Sequence, residues 1–316
     1  MARYAARRLL LLAPTLLGMS LLIFLMLRLL PGDVVDLMTA GNVDITDATK
    51  QKLRDAFGLS DPLPVQYLKW IGNLLHGDPG TSLRSGQPIR DALAQALPVT
   101  LELTILAVLM ATAVAIPLGV LSATRRDTAA DVLSRIAGVV GLSVPSFWLA
   151  TLMLLFTSLV FHWIPPVTFV PFFSNPVGNL QQMALPAAAL ALQLMAIEMR
   201  MTRTTVLEVL GQDYVRTARA KGASERLVTY RHALRNALIP VVSVVGFQVG
   251  TLMGGSVIIE VIFSLNGIGN TLVQAIFNRD YPLVQAAALF LAVVFVVVNT
   301  SVDLLYGYLD PRIKQA

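Results

Sequence analysis

Apolar residues in this chain come in long blocks, not in alternation with polar ones. The blocks cover residues 9–30, 99–121, 136–160, 183–197, 237–259 and 283–305. About 20 consecutive apolar residues in a helix span the hydrocarbon core of a bilayer, roughly 30 Å thick. The pattern therefore predicts an all-α integral membrane protein with about six transmembrane helices. The fourth block is the shortest and has the least defined start. The first is longer than the 7–15-residue core of a signal peptide, and no small-residue cleavage site follows closely, so it reads as a retained helix. Pro117, Pro145 and Pro186 fall inside or near these blocks. Membrane helices tolerate such prolines where neighbours satisfy the freed backbone groups.

The polar intervals set the orientation. Basic residues gather at the N-terminus (Arg3, Arg7, Arg8), after the second block (Arg125, Arg126, Arg135) and at the C-terminus (Arg312, Lys314). The interval after the fourth block holds Arg200, Arg203, Arg216, Arg219, Lys221, Arg226, Arg231 and Arg235. With six crossings these four segments share one side, and the positive-inside rule makes that side the cytoplasm, with both termini in it. Opposite, 162–180 has no charged side chain and 264–281 has only Arg279 and Asp280. The long interval 31–98 also carries basic residues, but an interval of this length largely escapes the rule. It reads as helical. Thr46 caps a helix that stops near Gly58, and Pro64 starts another. Val65, Leu68, Ile71 and Leu75 recur at helical spacing up to Gly77, and a short helix over 88–97 leads into the second span. These helices are expected to hug the outer membrane face. The organisation is thus 1–30 (N-terminus and first span), 31–97 (outer helical segment) and 98–316 (core), with a cytoplasmic loop at 202–236.

Composition changes this picture little. The chain is 55% hydrophobic with mean hydropathy +0.69 and only 14% charged residues, against about a quarter in soluble domains. The pI near 9.7 reflects membrane orientation, since the basic residues sit between apolar blocks, and does not point to nucleic acid. There is no cysteine, which excludes thiol catalysis and cysteine metal sites. No phosphate-binding glycine loop and no HExxH occur, and His76, His162 and His232 lie far apart without a second ligand nearby. No catalytic residue, bound cofactor or metal is expected. If ATP powers this protein, the ATPase is a separate chain.

The most informative segment runs from Asp213 to Pro240 and reads as helix, glycine break, helix. Ala218 and Ala220 favour a helix, Gly222 suits the left-handed position that ends one, and Ser224 caps the next. A solvated, positively charged loop is the plain alternative. The ordered helix–glycine–helix pattern favours a docking element. Tyr214-Val215-Arg216-Thr217-Ala218-Arg219-Ala220-Lys221-Gly222-Ala223-Ser224, followed by Glu225, resembles the EAA-type coupling loop of bacterial ABC-importer permeases, in the dipeptide/oligopeptide/nickel branch. Ala218, Gly222 and Leu234 match the general pattern. Arg216 and Arg235 stand where glutamate and proline are usual. The likeness extends over the whole chain, through Leu30-Pro31-Gly32-Asp33, Phe57-Gly58-Leu59-Ser60-Asp61-Pro62, Gly77-Asp78-Pro79-Gly80-Thr81-Ser82, Leu142-Ser143-Val144-Pro145, Phe263-Ser264-Leu265-Asn266-Gly267-Ile268-Gly269 and Arg279-Asp280-Tyr281-Pro282. It is similar to the first permease of such operons. The resemblance implies a type I ABC-importer permease fold in the bacterial cytoplasmic (inner) membrane. It also implies a second homologous permease, two ATPase subunits holding ATP and Mg, and an extracytoplasmic substrate-binding protein as partners. A nickel or other small-solute importer of the same branch is an alternative. So, from another class, is a secondary transporter without an ATPase.

Gly246, Gly250 and Gly254 line one face of the fifth block at four-residue spacing, which lets helix backbones pack closely. The same face suits an interface with the partner permease beside the pathway. No charge stands at the centre of a span. Glu102 and Glu260 are expected near outer ends and Glu198 and Asp303 near inner ends, each able to reach the interface. The polar candidates for the pathway are Ser143, Ser146, Gln193, Ser243, Gln248 and Asn299.

Overall fold

The computed structural model describes residues 2–29, 35–36, 39, 46–56 and 58–309. The Leu30–Asp33 motif, Phe57, Arg312 and Lys314, and the side chains of Arg3, Arg7 and Asp303 lie outside the described residues. The chain folds into helices: α1 (Ala2–Arg28), α2 (Asp47–Ala56), α3 (Leu63–Leu75), α4 (Ile89–Thr124), α5 (Ala129–Ser143), α6 (Ser146–Phe161), α7 (Pro176–Leu210), α8 (Asp213–Ala220), α9 (Glu225–Leu227), α10 (Leu234–Gly255), α11 (Val257–Ile262), α12 (Ile268–Phe277) and α13 (Tyr281–Leu309). A π-helical turn over Val228–Ala233 joins α9 to α10. Among the described residues five helices are long and apolar enough to cross a membrane, and the number rises to six where the bent pair α5–α6 counts as one span.

Three blocks depart from expectation. The block at 136–160 is not one straight span but two helices meeting at 97°. Pro145 is the cause, because its ring pushes Val144 out of the helical region to an extended ψ of 117°. The block at 237–259 breaks at Ser256, whose side chain turns to Glu260. The fourth block is only the middle of α7, so Arg200 and Arg203 stand on a helix and not in a loop. Pro117 and Pro186 are carried inside continuous helices, as is Pro98, so the short helix expected before the second span is the first part of α4 itself.

The core is a side-by-side contact of α4 and α7, which run in the same direction. Val99 and Leu103 meet Met183 and Ala187 at one end, and Val120 and Ala123 meet Val206 at the other. Ala107, Ala111, Ala115, Gly119 and Ala123 are buried on α4 at four-residue spacing, a row of small side chains that brings backbones together in lipid. At Gly119 a Cβ would stand 2.8 Å from the Met199 carbonyl oxygen and 2.6 Å from Thr202 Cβ. Antiparallel to α7, α10 is tied to it where Gln248 Nε2 donates to the Leu194 carbonyl at 3.4 Å. Helix α13 closes on α10 at Gly246, against Val302, and at Gly250, against Asn299.

Buried polar ties hold the two ends. At the arginine-rich end, Asp131 is fully buried at the start of α5. Arg203 of α7 grips it with both prongs, Nε to Oδ1 at 2.8 Å and Nη2 to Oδ2 at 3.0 Å, while Ser122 of α4 donates to Oδ1 at 2.6 Å. At the opposite end Glu260 is fully buried. It accepts from Thr100 of α4 at 2.8 Å, from Ser256 at 2.9 Å and from the Asn270 backbone N–H at 2.9 Å. Gly267 and Gly269 let the chain wrap this carboxylate, since a Cβ on either would crowd it. Asp280, also buried, accepts from Ser82 and from the Leu83 N–H at 3.2 Å, fastening the outer segment to the core.

In the outer segment α2 begins behind Thr46, whose Oγ1 accepts from the Thr49 N–H at 3.4 Å, and Gly58 and Gly77 take left-handed φ of 66° and 79°. Tyr67 and Trp70 of α3 pack on Phe24 of α1. The stripe Val65, Leu68 and Leu75 stays exposed.

Gly119→Ala is expected to cost about 1–3 kcal/mol by overpacking against backbone that cannot yield, read as a lower melting midpoint in detergent. Gly72→Ala, inside a helix where a Cβ meets nothing within 4 Å, is the control expected to hold or raise the midpoint, and equal midpoints for both variants would refute the close-contact reading. Asp131→Asn strips a partly buried cation of its partner. The loss is expected below the about 3–5 kcal/mol of a fully buried pair, because the Arg203 side chain keeps 21% exposure. An unchanged midpoint would show that the pair does not hold α5 to α7.

Candidate functional site

The helix–glycine–helix segment stands at the arginine-rich end, between the last turn of α7 and the first of α10. Gly211 ends α7 and Asp213 opens α8 with a carboxylate in its first turn, the favourable place for negative charge. Val215 is fully buried and pins α8 down. Gly222 stops the helix at φ +82° with open space around its Cα, so the requirement for glycine there is conformational, not steric. The Gly222 N–H donates to the Arg219 carbonyl at 2.9 Å and the Ala223 N–H to the Ala218 carbonyl at 3.2 Å, closing the end in the Schellman manner. Ser224 then caps α9, its Oγ accepting from the Leu227 N–H at 3.4 Å.

Side chains fix the two arms relative to each other. Arg219 makes a two-pronged contact with Glu225 across the break, at 2.8 and 3.2 Å. Tyr214 Oη accepts from Asn236 Nδ2 at 2.8 Å and donates to the His232 carbonyl at 3.2 Å, tying α8 to the base of α10. The intervening π-helical turn is a geometry common at functional sites. What remains outward is a mixed surface. Arg216, with 80% of its side chain exposed, is held only loosely by Asp213 at 3.5 Å. Thr217, Ala220, Lys221, Arg226 and Arg231 are exposed, with Tyr214, Leu227 and Tyr230. Internal hydrogen bonds hold the shape while aromatic, aliphatic and cationic groups face away, which is the composition of a protein-docking surface. All twelve residues from Tyr214 to Glu225 belong to this unit.

The other candidates are distributed differently. Gly246 and Gly250 face α13 of the same chain, and Gly254 faces open space. Gln248 is buried in its tie to α7. Asn299 donates to the Phe295 carbonyl at 2.9 Å, Ser143 to that of Val139 at 2.8 Å and Ser243 to that of Ile239 at 3.5 Å. These bonds run within a helix or between neighbours. Ser146 is half-buried and Gln193 exposed. The carboxylates also differ from expectation, since Glu198 and Glu260 are fully buried and reach no interface. Helix packing encloses them, and Glu260 has a complete set of donors. No group of three or more His, Asp or Glu that could hold a metal occurs among the described residues.

The Asp131–Arg203–Ser122 tie leaves no mark in the sequence beyond its charge, which near a span signals orientation alone. The small-residue row on α4 lies outside the sequence reading, although its spacing of four is a signal of the same kind as the one at Gly246–Gly254. Ser82 and Asp280 both stand in fragments that carry the family resemblance, but no sequence rule pairs residues so far apart.

The fold is similar to that in a crystal structure of an amino acid ABC transporter with histidines, with TM-score 0.52 and 15% identity over 68% of this chain and 93% of that one. A putative peptide transport system permease protein of Brucella abortus is 44% identical over 95% of each chain. The oligopeptide transport system permease protein AppB of Bacillus subtilis is 40% identical over 99% of this chain and 100% of its own. The dipeptide transport system permease protein DppB of Escherichia coli is 40% identical over 99% of each. The family model described as binding-protein-dependent transport system inner membrane component matches residues 115–315, and the model of its N-terminal part matches 1–104. Matched by both models and by relatives along nearly its whole length, the chain belongs to the family of binding-protein-dependent transport system inner membrane components.

Proposed function

We propose that this chain is a permease subunit of an ATP-binding-cassette importer for peptides, forming half of the translocation pathway and holding no catalytic site of its own. The observation that carries the coupling role is the rigid helix–Gly222–helix, which turns Tyr230, Leu227 and Arg216 outward at the arginine-rich end. The peptide class is supported by relatives named for peptide, oligopeptide and dipeptide transport. In this reading the arginine-rich end faces the cytoplasm. The outward surface of α8 and α9 seats in a cleft of one of two ATPase subunits, which hold the ATP and Mg. A second, homologous permease completes the pathway, and a substrate-binding protein delivers peptide at the opposite face.

The mechanism follows from how the loop is anchored. A push on α8 meets a unit that Arg219–Glu225 and Tyr214–Asn236 hold together, so the displacement passes to the ends of α7 and α10 and is not lost within the loop. Helix α7 is locked to α4 by close packing and to α5 by Arg203. A displaced loop therefore moves a block of spans. A nearly complete population switch between two arrangements needs about 5.5 kcal/mol of differential interaction, which ATP-driven closure of the partner subunits supplies through contacts at this loop.

Gly222→Val forces a β-branched residue to positive φ and is expected to leave the protein in the membrane while abolishing ATP-driven peptide uptake. Full uptake by that variant would sink the coupling assignment. Purification of the tagged chain in mild detergent is expected to bring down a second six-span permease and ATPase subunits. Recovery of this chain alone, active after reconstitution without ATP, would establish a secondary transporter instead.

A further inference from the structure

Beside the Asp131–Arg203 tie lies a cavity of about 350 Å³ between α5 and α7, with the exposed Arg135, Arg200 and Thr204 and the half-buried Arg203 at its rim and the half-buried Leu142 and buried Ala196 and Met199 deeper in. From Arg203 to Ala196 is two turns of helix, about 10 Å along its axis. The lining thus changes from cationic to apolar over a distance like that between a lipid headgroup and its first methylene groups. The charge at the rim is unbalanced. Asp131 is shared by Arg203 at 2.8 Å and, more loosely, by Arg135 at 3.7 Å, and Asp127 is met by Arg126 at 3.4 Å. Among the described residues no carboxylate lies within ion-pair distance of Arg200. Three rim guanidinium groups against the single carboxylate of Asp131 leave two positive charges facing the cavity. Arg135 also borders a second, open groove of about 310 Å³ on the outer side of α5, lined by Val132, Ile136, Val139 and Val140. The cationic rim therefore continues sideways into an apolar strip along the same helix.

We propose that this is a binding site for an anionic phospholipid of the leaflet at the arginine-rich end. Its phosphate sits against Arg200 and Arg135, and an acyl chain lies on the apolar strip of α5. Arg203 stays on Asp131 and shapes the rim. Two uncompensated cations at the depth of the headgroups, above an apolar floor, complement a phosphodiester carrying hydrocarbon chains. A zwitterionic lipid offers the same chains, but its own ammonium competes for the phosphate. Lipid seated here would brace α5 against α7, the helix that leads into the coupling loop.

The test is native mass spectrometry of the full-length chain, with whatever subunits co-purify, delipidated and titrated with phosphatidylglycerol or phosphatidylcholine of the same acyl chains. Preferential retention of phosphatidylglycerol is expected. Arg200→Gln is expected to weaken it about fivefold, the worth of one basic residue at an anionic surface, and Arg200→Lys to restore most of the loss. Arg90→Gln, which removes a charge at the opposite end, is expected to change nothing, and Arg135→Gln serves if Arg200→Gln does not accumulate. Equal retention of the two lipids, or equal weakening by Arg200→Gln and Arg90→Gln, would overturn the site. Displacement of phosphatidylglycerol by millimolar inorganic phosphate would overturn the lipid in favour of a soluble phosphate species.

Discussion

Everything in this molecule depends on how closely α4 and α7 approach. Lipid tails are as apolar as leucine, so burying large side chains between membrane helices gains little over leaving them in the bilayer. What lipid cannot replace is van der Waals contact between backbones. The row from Ala107 to Ala123 supplies it, and Gly119 marks its tightest point, under the Met199 carbonyl and Thr202. With these two parallel helices locked as one body, the bent α5–α6 pair, α10 and α13 have a surface to pack on.

Close packing of apolar helices does not by itself choose a register, since alanine rows can slide by a turn. Buried carboxyl groups at the two ends make that choice. A slide by one turn would leave Asp131 without Arg203 and Glu260 without Thr100, and unpaired charges in a low-dielectric interior are costly. Neither carboxylate need add net stability to serve this purpose, because the cost falls on the wrong arrangements. The Ser82–Asp280 contact does the same for the outer segment, fixing where it sits on the core.

The same economy explains where motion can enter. The loop around Gly222 is cross-tied within itself and bound to the ends of α7 and α10, while its outward face stays exposed. Force applied there reaches the α4–α7 body directly. At that end the cationic rim around Arg200 lies on α7, the same helix that leads into the loop.

Spans, their order and the cationic end were legible in the sequence because each depends on local composition: a run of about 20 apolar residues has one stable place, and arginine between such runs marks one side. The helix–glycine–helix geometry around Gly222 was legible for a similar reason, since a positive-φ glycine between a helix former and a cap is a short-range signal. The bend at Pro145 and the extra length of α7 were not, because hydropathy measures where apolar residues lie and not where a helix stops. Nor were the partners of Asp131, Glu260 and Asp280, whether Gly246 and Gly250 face their own α13 or another subunit, or how Gln248 and Asn299 are used. Those depend on which helix becomes whose neighbour. Only the tertiary structure decides that, because in a bilayer every apolar helix is at home alone, and only contacts between residues far apart in the chain distinguish one packing from the next.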